Sequence, residues 1–203
     1  MTKTNLLIGA DPFPPYQYYD DQGALVGLDY EKVRAAGQKA GFELEFILED
    51  WALIEEKFAQ KELDAVFQLP KTPEREKNYL FSKLLRNGVT EIVTGNPLLS
   101  VTAISEIGRK KLSLGLIEGI AYNEEIQALD QGRQQFYPDN EQLLLALGQQ
   151  EVDFGVFDQG VRIFLMEKLA VQNITVIEAL TFIRPLFMAF HDKKTQILFD
   201  KYL

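Results

Sequence analysis

Leu63-Asp64-Ala65-Val66-Phe67-Gln68-Leu69-Pro70-Lys71-Thr72-Pro73-Glu74-Arg75 changes backbone type twice in a short distance. Leu63 to Phe67 is an apolar run of the kind a buried strand makes. Thr72 is placed to cap a helix, and Pro73 at the first helical position loses no hydrogen bond there, because that N–H has no partner within the helix. Strand, turn and helix are therefore expected in that order, with Arg75 in the first helical turn. A cation there faces the positive end of the helix dipole, so helix stability does not account for it. A guanidinium leaving such a turn suits a carboxylate, which it grips with two parallel hydrogen bonds. Pairing with Glu74, Glu76 or another surface acid is the competing reading.

Upstream, the same alternation repeats. Leu6-Leu7-Ile8-Gly9-Ala10 reads as a buried strand, and Asp11-Pro12-Phe13-Pro14-Pro15-Tyr16 as a stiff turn whose prolines hold Phe13 and Tyr16 at set angles. Tyr18 to Leu28 predicts a hairpin turning at Asp20-Asp21-Gln22-Gly23. Asp29 is expected to cap a helix in which Val33, Ala36, Gly37 and Ala40 share one face and which ends at Gly41. Phe42 to Leu48 alternates like a half-buried strand, and Asp50 starts a helix expected to carry Leu53, Ile54 and Phe58 inward. Alternating strands and helices imply a parallel sheet covered by helices.

Downstream, Gly88 to Pro97 is an extended segment broken by Gly95-Asn96-Pro97. A second alternating unit follows: a strand over Leu112 to Ile117, a turn at Gly119-Ile120-Ala121, and a helix over Tyr122 to Leu129. Next come a strand over Gln134 to Tyr137, a helix capped by Asp139 with Gln142 returning the bond, a strand over Val152 to Phe157 and a helix over Gln159 to Leu169. Lys61 to Gln68 and Gln150 to Asp158 echo each other, each closing a helix and running a strand to a polar residue. Ligands of open parallel sheets sit beyond the carboxyl ends of the strands, so the echo points Gln68 with Arg75, and Asp158, at one crevice.

Composition excludes several classes. The net charge of −9 disfavours a nucleic-acid partner or attraction to an anionic membrane. There is no cysteine and His191 is the single histidine, which removes disulfides, thiolate metal sites and histidine clusters. No apolar run reaches the length of a membrane span. No glycine-rich phosphate loop is present, Asp20-Asp21 lacks the further carboxylates of a calcium loop, and Arg109-Lys110-Lys111 reads as a solvated cluster. No metal or cofactor is expected. The start, Met1-Thr2-Lys3-Thr4, lacks the apolar core of a signal peptide, so the protein is cytoplasmic or a leader has been removed.

Ala10 to Tyr16, Gly23 through Gly27-Leu28-Asp29, Glu49-Asp50-Trp51, Leu63-Asp64-Ala65, Thr72-Pro73-Glu74-Arg75 and Phe81-Ser82 fall in a familiar order and spacing. The chain resembles family 3 extracellular solute-binding proteins, the type II periplasmic binding proteins for polar amino acids. The likeness continues through Gly119, Val152-Asp153 and Asp158. It implies an α/β protein of two lobes, each a mostly parallel sheet covered by helices, joined by two crossing hinge strands around Gly88–Thr94 and Thr181–Phe190. Lobe 1 would hold residues 1–91 and 184–203 and lobe 2 residues 92–183, closing on a ligand by hinge bending.

By the same resemblance, Arg75 would clamp the ligand's α-carboxylate and Asp158 would accept its α-ammonium. Asp11, Phe13, Tyr16 and Trp51 would line the side-chain pocket, where aromatic walls add cation–π attraction for a basic ligand. Gln68, Leu69 and Pro70 from the first lobe, and Gly119, Ile120, Ala121 and Tyr122 from the second, would complete the site. Two departures stand out. Pro70 replaces a usual hydroxyl residue, and Ile120 and Ala121 stand where Thr or Ser is usual. The backbone N–H groups of Ile120 and Ala121 remain available to an anion, and Gln68 and Tyr122 are candidate replacements for the lost donors.

The implied function is reception of an amino acid or related carboxylate for a membrane transporter permease, in the periplasm or outside the cell, with the leader removed. A sensing domain attached to its own membrane-anchored signalling domains is the alternative. The last helix, Lys194 to Leu203, stops where family members continue, which fits that alternative. An enzyme is not expected. Asp11, Asp158 and Glu118 are the candidate crevice carboxylates, and His191 is expected outside it.

Overall fold

The computed structural model describes residues 4–120 and 122–203. The chain divides into two compact units, Met1–Gly88 with Arg184–Leu203, and Val89–Ile183.

In the first unit, β1 (Thr4–Ala10) leads to a small hairpin of β2 (Tyr18–Tyr19) and β3 (Leu25–Val26), then α1 (Leu28–Lys39) and β4 (Phe42–Leu48). α2 (Trp51–Ala59), β5 (Ala65–Leu69), α3 (Pro73–Asn78), β6 (Leu80–Phe81) and the start of β7 (Arg86–Thr94) follow. β1 lies between β4 and β5, parallel to both. β5 is buried on both faces, as the interior strand of a covered sheet must be. Ala65 and Phe67 pack with Ile8, Val33 and Ala36, while Val66 packs with Ile54 and Phe58 of α2.

The second unit holds α4 (Ile104–Arg109), β8 (Leu114–Ile117), α5 (Glu124–Gln127), β9 (Gln134–Tyr137), α6 (Asn140–Gly148), β10 (Phe154–Asp158) and α7 (Gln159–Lys168). β8 runs parallel to both β9 and β10, and β10 is antiparallel to β7. Its core gathers Ile92, Ile104, Leu114, Leu116, Phe154 and Val156. The last strand, β11 (Thr175–Phe190), starts in this unit and finishes in the first, where it pairs antiparallel with β5 and β6. α8 (Lys193–Asp200) then sets Phe199 into the first unit's core.

The internal echo has a structural counterpart. α2 and α6 are each followed by a residue in the left-handed region, Lys61 (φ 63°) and Gln150 (φ 58°). Asp64 then accepts the backbone N–H of Leu7 at 2.8 Å, and Asp153 accepts that of Ser113 at 2.7 Å. Each aspartate thus ties the entry of a five-residue strand to the parallel strand or approach beside it.

Several local expectations change. Asp29 does not cap α1; the cap position is Gly27, without a side-chain bond. The carbonyl of Tyr16 accepts the N–H groups of Asp29 (2.9 Å) and Tyr30 (3.1 Å) instead. That close approach needs glycine, because at φ 131° a Cβ on Gly27 would collide with the Tyr16 carbonyl. Asp29 is thereby released to pair with Arg86. Asp50 precedes α2 without a side-chain cap bond, and Leu53 is half exposed while Ile54 and Phe58 are buried. The helix expected from Tyr122 is shorter and is capped by Asn123, whose side chain accepts the N–H of Ile126. Asp139 does cap α6, but Gln142 returns its bond to the Asp139 carboxylate rather than to the backbone.

Candidate functional site

In the first unit, the candidate residues follow the carboxyl ends of three parallel neighbours: Asp11 after β1, Trp51 after β4, and Gln68 to Arg75 at the end of β5. Thr72 accepts the backbone N–H of Arg75 at 3.2 Å with Pro73 behind it, so the cap fixes where Arg75 leaves the helix. The guanidinium reaches back across the turn. Its Nη1 donates to the carbonyl of Pro70 (3.4 Å), its Nη2 to Glu55 Oε1 (2.8 Å), and its carbon lies 5.6 Å from the centre of the Trp51 ring. Arg75 is thus paired with an acid that the sequence reading did not name. Glu55 lies one helical turn beyond Trp51 on α2, an i,i+4 spacing that makes the two neighbours.

Asp11 is largely buried, and that burial pushes its carboxyl pKa up; its own backbone N–H and the charge of Arg184 pull the other way. Its backbone carbonyl accepts Nε2 of Gln17 at 2.9 Å, and the same Nε2 donates to Gln68 Oε1. Asp11, Gln17 and Gln68 therefore form one connected group. Gln17 is fully buried and was not among the expected residues, because a glutamine beside Tyr16 reads as surface. Leu69 is core. Phe13 stacks on Tyr16 (5.8 Å between centres), and Arg86 lies 3.4 Å from the Tyr16 ring centre, so Tyr16 is committed to packing within its unit. His191 sits apart from this group, 2.7 Å from the Phe58 carbonyl and packed on Phe58 and Tyr79.

The second unit repeats the arrangement at the carboxyl ends of β8 and β10. Gly119 turns the chain in the left-handed region (φ 75°), and Ile120 is half exposed beside it. Ala121 lies outside the described residues. The Tyr122 hydroxyl accepts the Ile117 N–H at 2.8 Å, closing this loop, and keeps its own proton to donate. Burial raises the Tyr122 pKa, partly offset by that bond. Asp158 ends β10 and caps α7, one oxygen accepting the N–H groups of Gly160 (2.9 Å) and Val161 (3.4 Å). Glu91 of β7 is buried and accepts hydrogen bonds from the buried Arg162 (2.8 Å) and from the exposed Gln159 (2.7 Å) of α7.

Among the described residues no group of histidine, cysteine, aspartate or glutamate side chains is disposed to hold a metal ion, and no helix is long and apolar enough to cross a membrane.

Two α/β units, with β7 and β11 each running from one into the other, make a type II periplasmic-binding-protein fold, and solved structures agree. An ancestral arginine-binding protein bound to arginine superposes with a TM-score of 0.78 at 19% identity, over 98% of this chain and 91% of that one. A histidine kinase sensor domain with similarity to periplasmic binding proteins gives 0.80 at 16%, over 98% and 88%. The arginine-, lysine-, histidine-binding protein ArtJ of Geobacillus stearothermophilus gives 0.73 at 18%, over 99% and 87%.

Residues 6–153 match the family of bacterial extracellular solute-binding proteins, family 3, and the chain belongs to that family. A probable amino-acid ABC transporter-binding protein of Haemophilus influenzae is 31% identical over 112 residues, 54% of this chain. The matched stretch spans 43% of that relative's length.

Proposed function

We propose that the protein binds a small polar ligand, an amino acid or a related carboxylate, and delivers it to an ABC transporter. The observation that carries this reading is Arg75: a family 3 chain holds this guanidinium on the Thr72-capped turn past β5, beside the ring of Trp51. Arg75 takes the ligand's carboxylate and Asp158 its ammonium, each contributed by a different unit. Asp11, Phe13 and Trp51 meet the side chain, and Gln68, Pro70, Gly119, Ile120, Ala121 and Tyr122 surround the charged end. Binding is followed by hinge closure rather than by chemistry, with no cofactor involved. The compartment is the periplasm or the cell exterior, in keeping with the family's extracellular description.

A second reading is a ligand-sensing domain of a membrane receptor, favoured by the likeness to the histidine kinase sensor domain. Sequence of the gene beyond residue 203 separates the two, since a receptor continues into a membrane span.

A thermal-shift screen against amino acids tests the binding itself, because a ligand selective for the folded state raises the melting temperature. At least one polar or basic amino acid is expected to do so, and Arg75→Ala is expected to abolish the shift while the unliganded variant stays folded. Unchanged binding by that variant overturns the carboxylate assignment.

A further inference from the structure

Gln68 has a left-handed backbone (φ 67°) at the end of β5, a conformation that glycine adopts freely and a side-chain-bearing residue adopts at a cost. The pairing with β11 slips at the same point. Phe67 faces Met188 and Leu69 faces Phe187, so Gln68 is the extra residue of a β-bulge. Bulges of this type re-aim one side chain and occur beside binding sites. Here the re-aimed side chain is an amide.

Its orientation is fixed by a relay. The Asp11 carbonyl can only accept, so the Gln17 atom facing it at 2.9 Å is the amide nitrogen. That nitrogen also faces Gln68, which must therefore present its oxygen to Gln17 and turn its own Nε2 away. Gln68 Nε2 and Gln17 Oε1 are both sealed from solvent, and among the described residues no group bonds either of them. Gln17 as a whole is fully buried. A buried amide donor and acceptor left unmatched are costly, and folded proteins keep such groups mainly where something else supplies the partner.

We infer that the Gln17–Gln68 pair is a carboxylate-recognition element, in which Gln68 Nε2 donates to a ligand carboxylate oxygen and Gln17 is the residue that positions it. This rests on the amino-acid reading above and deepens it. Pro70, two residues on, has neither hydroxyl nor N–H to offer an anion, and the buried amide re-aimed by the bulge supplies a donor in the same turn.

Gln68→Glu separates this role from a structural one. The glutamate keeps an oxygen for Gln17 to bond but replaces the outward donor with an anionic oxygen, which repels a carboxylate. The test is a thermal-shift panel of the standard L-amino acids, with agmatine, the decarboxylated form of arginine, alongside. It is run on the parent, Gln68→Glu and the double variant Gln17→Met with Gln68→Met. For whichever amino acid stabilises the parent, Gln68→Glu is expected to lose the shift. The unliganded double variant is expected to melt a few degrees higher than the parent, as its unmatched amides are gone. Retention of the parent's shift by Gln68→Glu overturns the proposal. So does a lower melting temperature of the double variant, which would make the pair a structural one, bridged for example by a trapped water. A parent unmoved by the whole panel instead overturns the amino-acid reading and takes the ligand half of this proposal with it, while the melting temperature of the double variant still decides whether the pair is structural.

Discussion

Replacing Asp29 by alanine isolates a buried ion pair of the first unit. Its carboxylate lies 2.7 Å from Arg86 Nε, and the two side chains are only 4% and 14% exposed. The guanidinium lies 3.4 Å from the Tyr16 ring centre, so the charge is closed in by an aromatic face as well. Removing one partner of a buried pair leaves the other charge in a medium that solvates it poorly, at a cost of about 3–5 kcal/mol. For a chain of this size each kcal/mol lowers the melting temperature by about 2–4 °C, so a fall of roughly 6–20 °C is expected. Trp51 is the single tryptophan and lies in the same unit, so its fluorescence during urea unfolding reports this unit directly. The double variant Asp29→Leu with Arg86→Met removes both charges and is expected to recover most of the loss, since apolar replacement of a buried pair is often neutral. A loss below about 1 kcal/mol for Asp29→Ala, the range of exposed pairs, refutes the reasoning.

Two further outcomes follow from neighbouring groups. Burial raises the Asp11 pKa, so below the ordinary value of 3.8 both folded and unfolded chains hold the proton and nothing is lost. As pH rises above it the unfolded chain releases its proton first, and stability falls until the folded carboxyl ionises too. Asp11→Asn is therefore expected to leave the unliganded protein unchanged near pH 3 and to stabilise it at pH 7; equal effects at both pH values, measured by urea titration, contradict this. Glu55 shares the Arg75 guanidinium at 2.8 Å and is itself 46% exposed. Glu55→Gln is expected to tighten carboxylate binding by up to about 5-fold, corresponding to the roughly 1 kcal/mol of a partly exposed pair. Weaker binding by calorimetry means that Glu55 orients Arg75 instead of competing for it.

What was readable in the sequence was what neighbours in sequence decide. Phe42–Leu48 and Gln134–Tyr137 are strands at their expected bounds, since alternation or β propensity and adjacent turn residues set both ends. Thr72 with Pro73 starts α3 as expected, because a cap and a helical first residue are local chemistry. Asp29 misleads for the opposite reason. It stands where a cap would, but its partner Arg86 is 57 residues away and the cap comes from a carbonyl across a turn. Gln17 gave no signal, since a buried amide and a surface amide are the same letter until the fold encloses one. Arg75 reads in the sequence as a first-turn cation without a helical reason, but α3 has only six residues and Arg75 belongs to its last turn as well; that Glu55 reaches it depends on how α2 lies against the turn.

β11 also has a bearing on how the chain is made. Phe67 and Ala65 of β5 complete their backbone pairing only with Met188 and Phe190. A nascent chain therefore carries the bare side of β5 through the synthesis of the whole second unit, which is contiguous and can close first. An unpaired strand edge is a template for any other strand because its N–H and C=O groups lack partners, so this edge stays open to wrong pairings until residue 190 has been made.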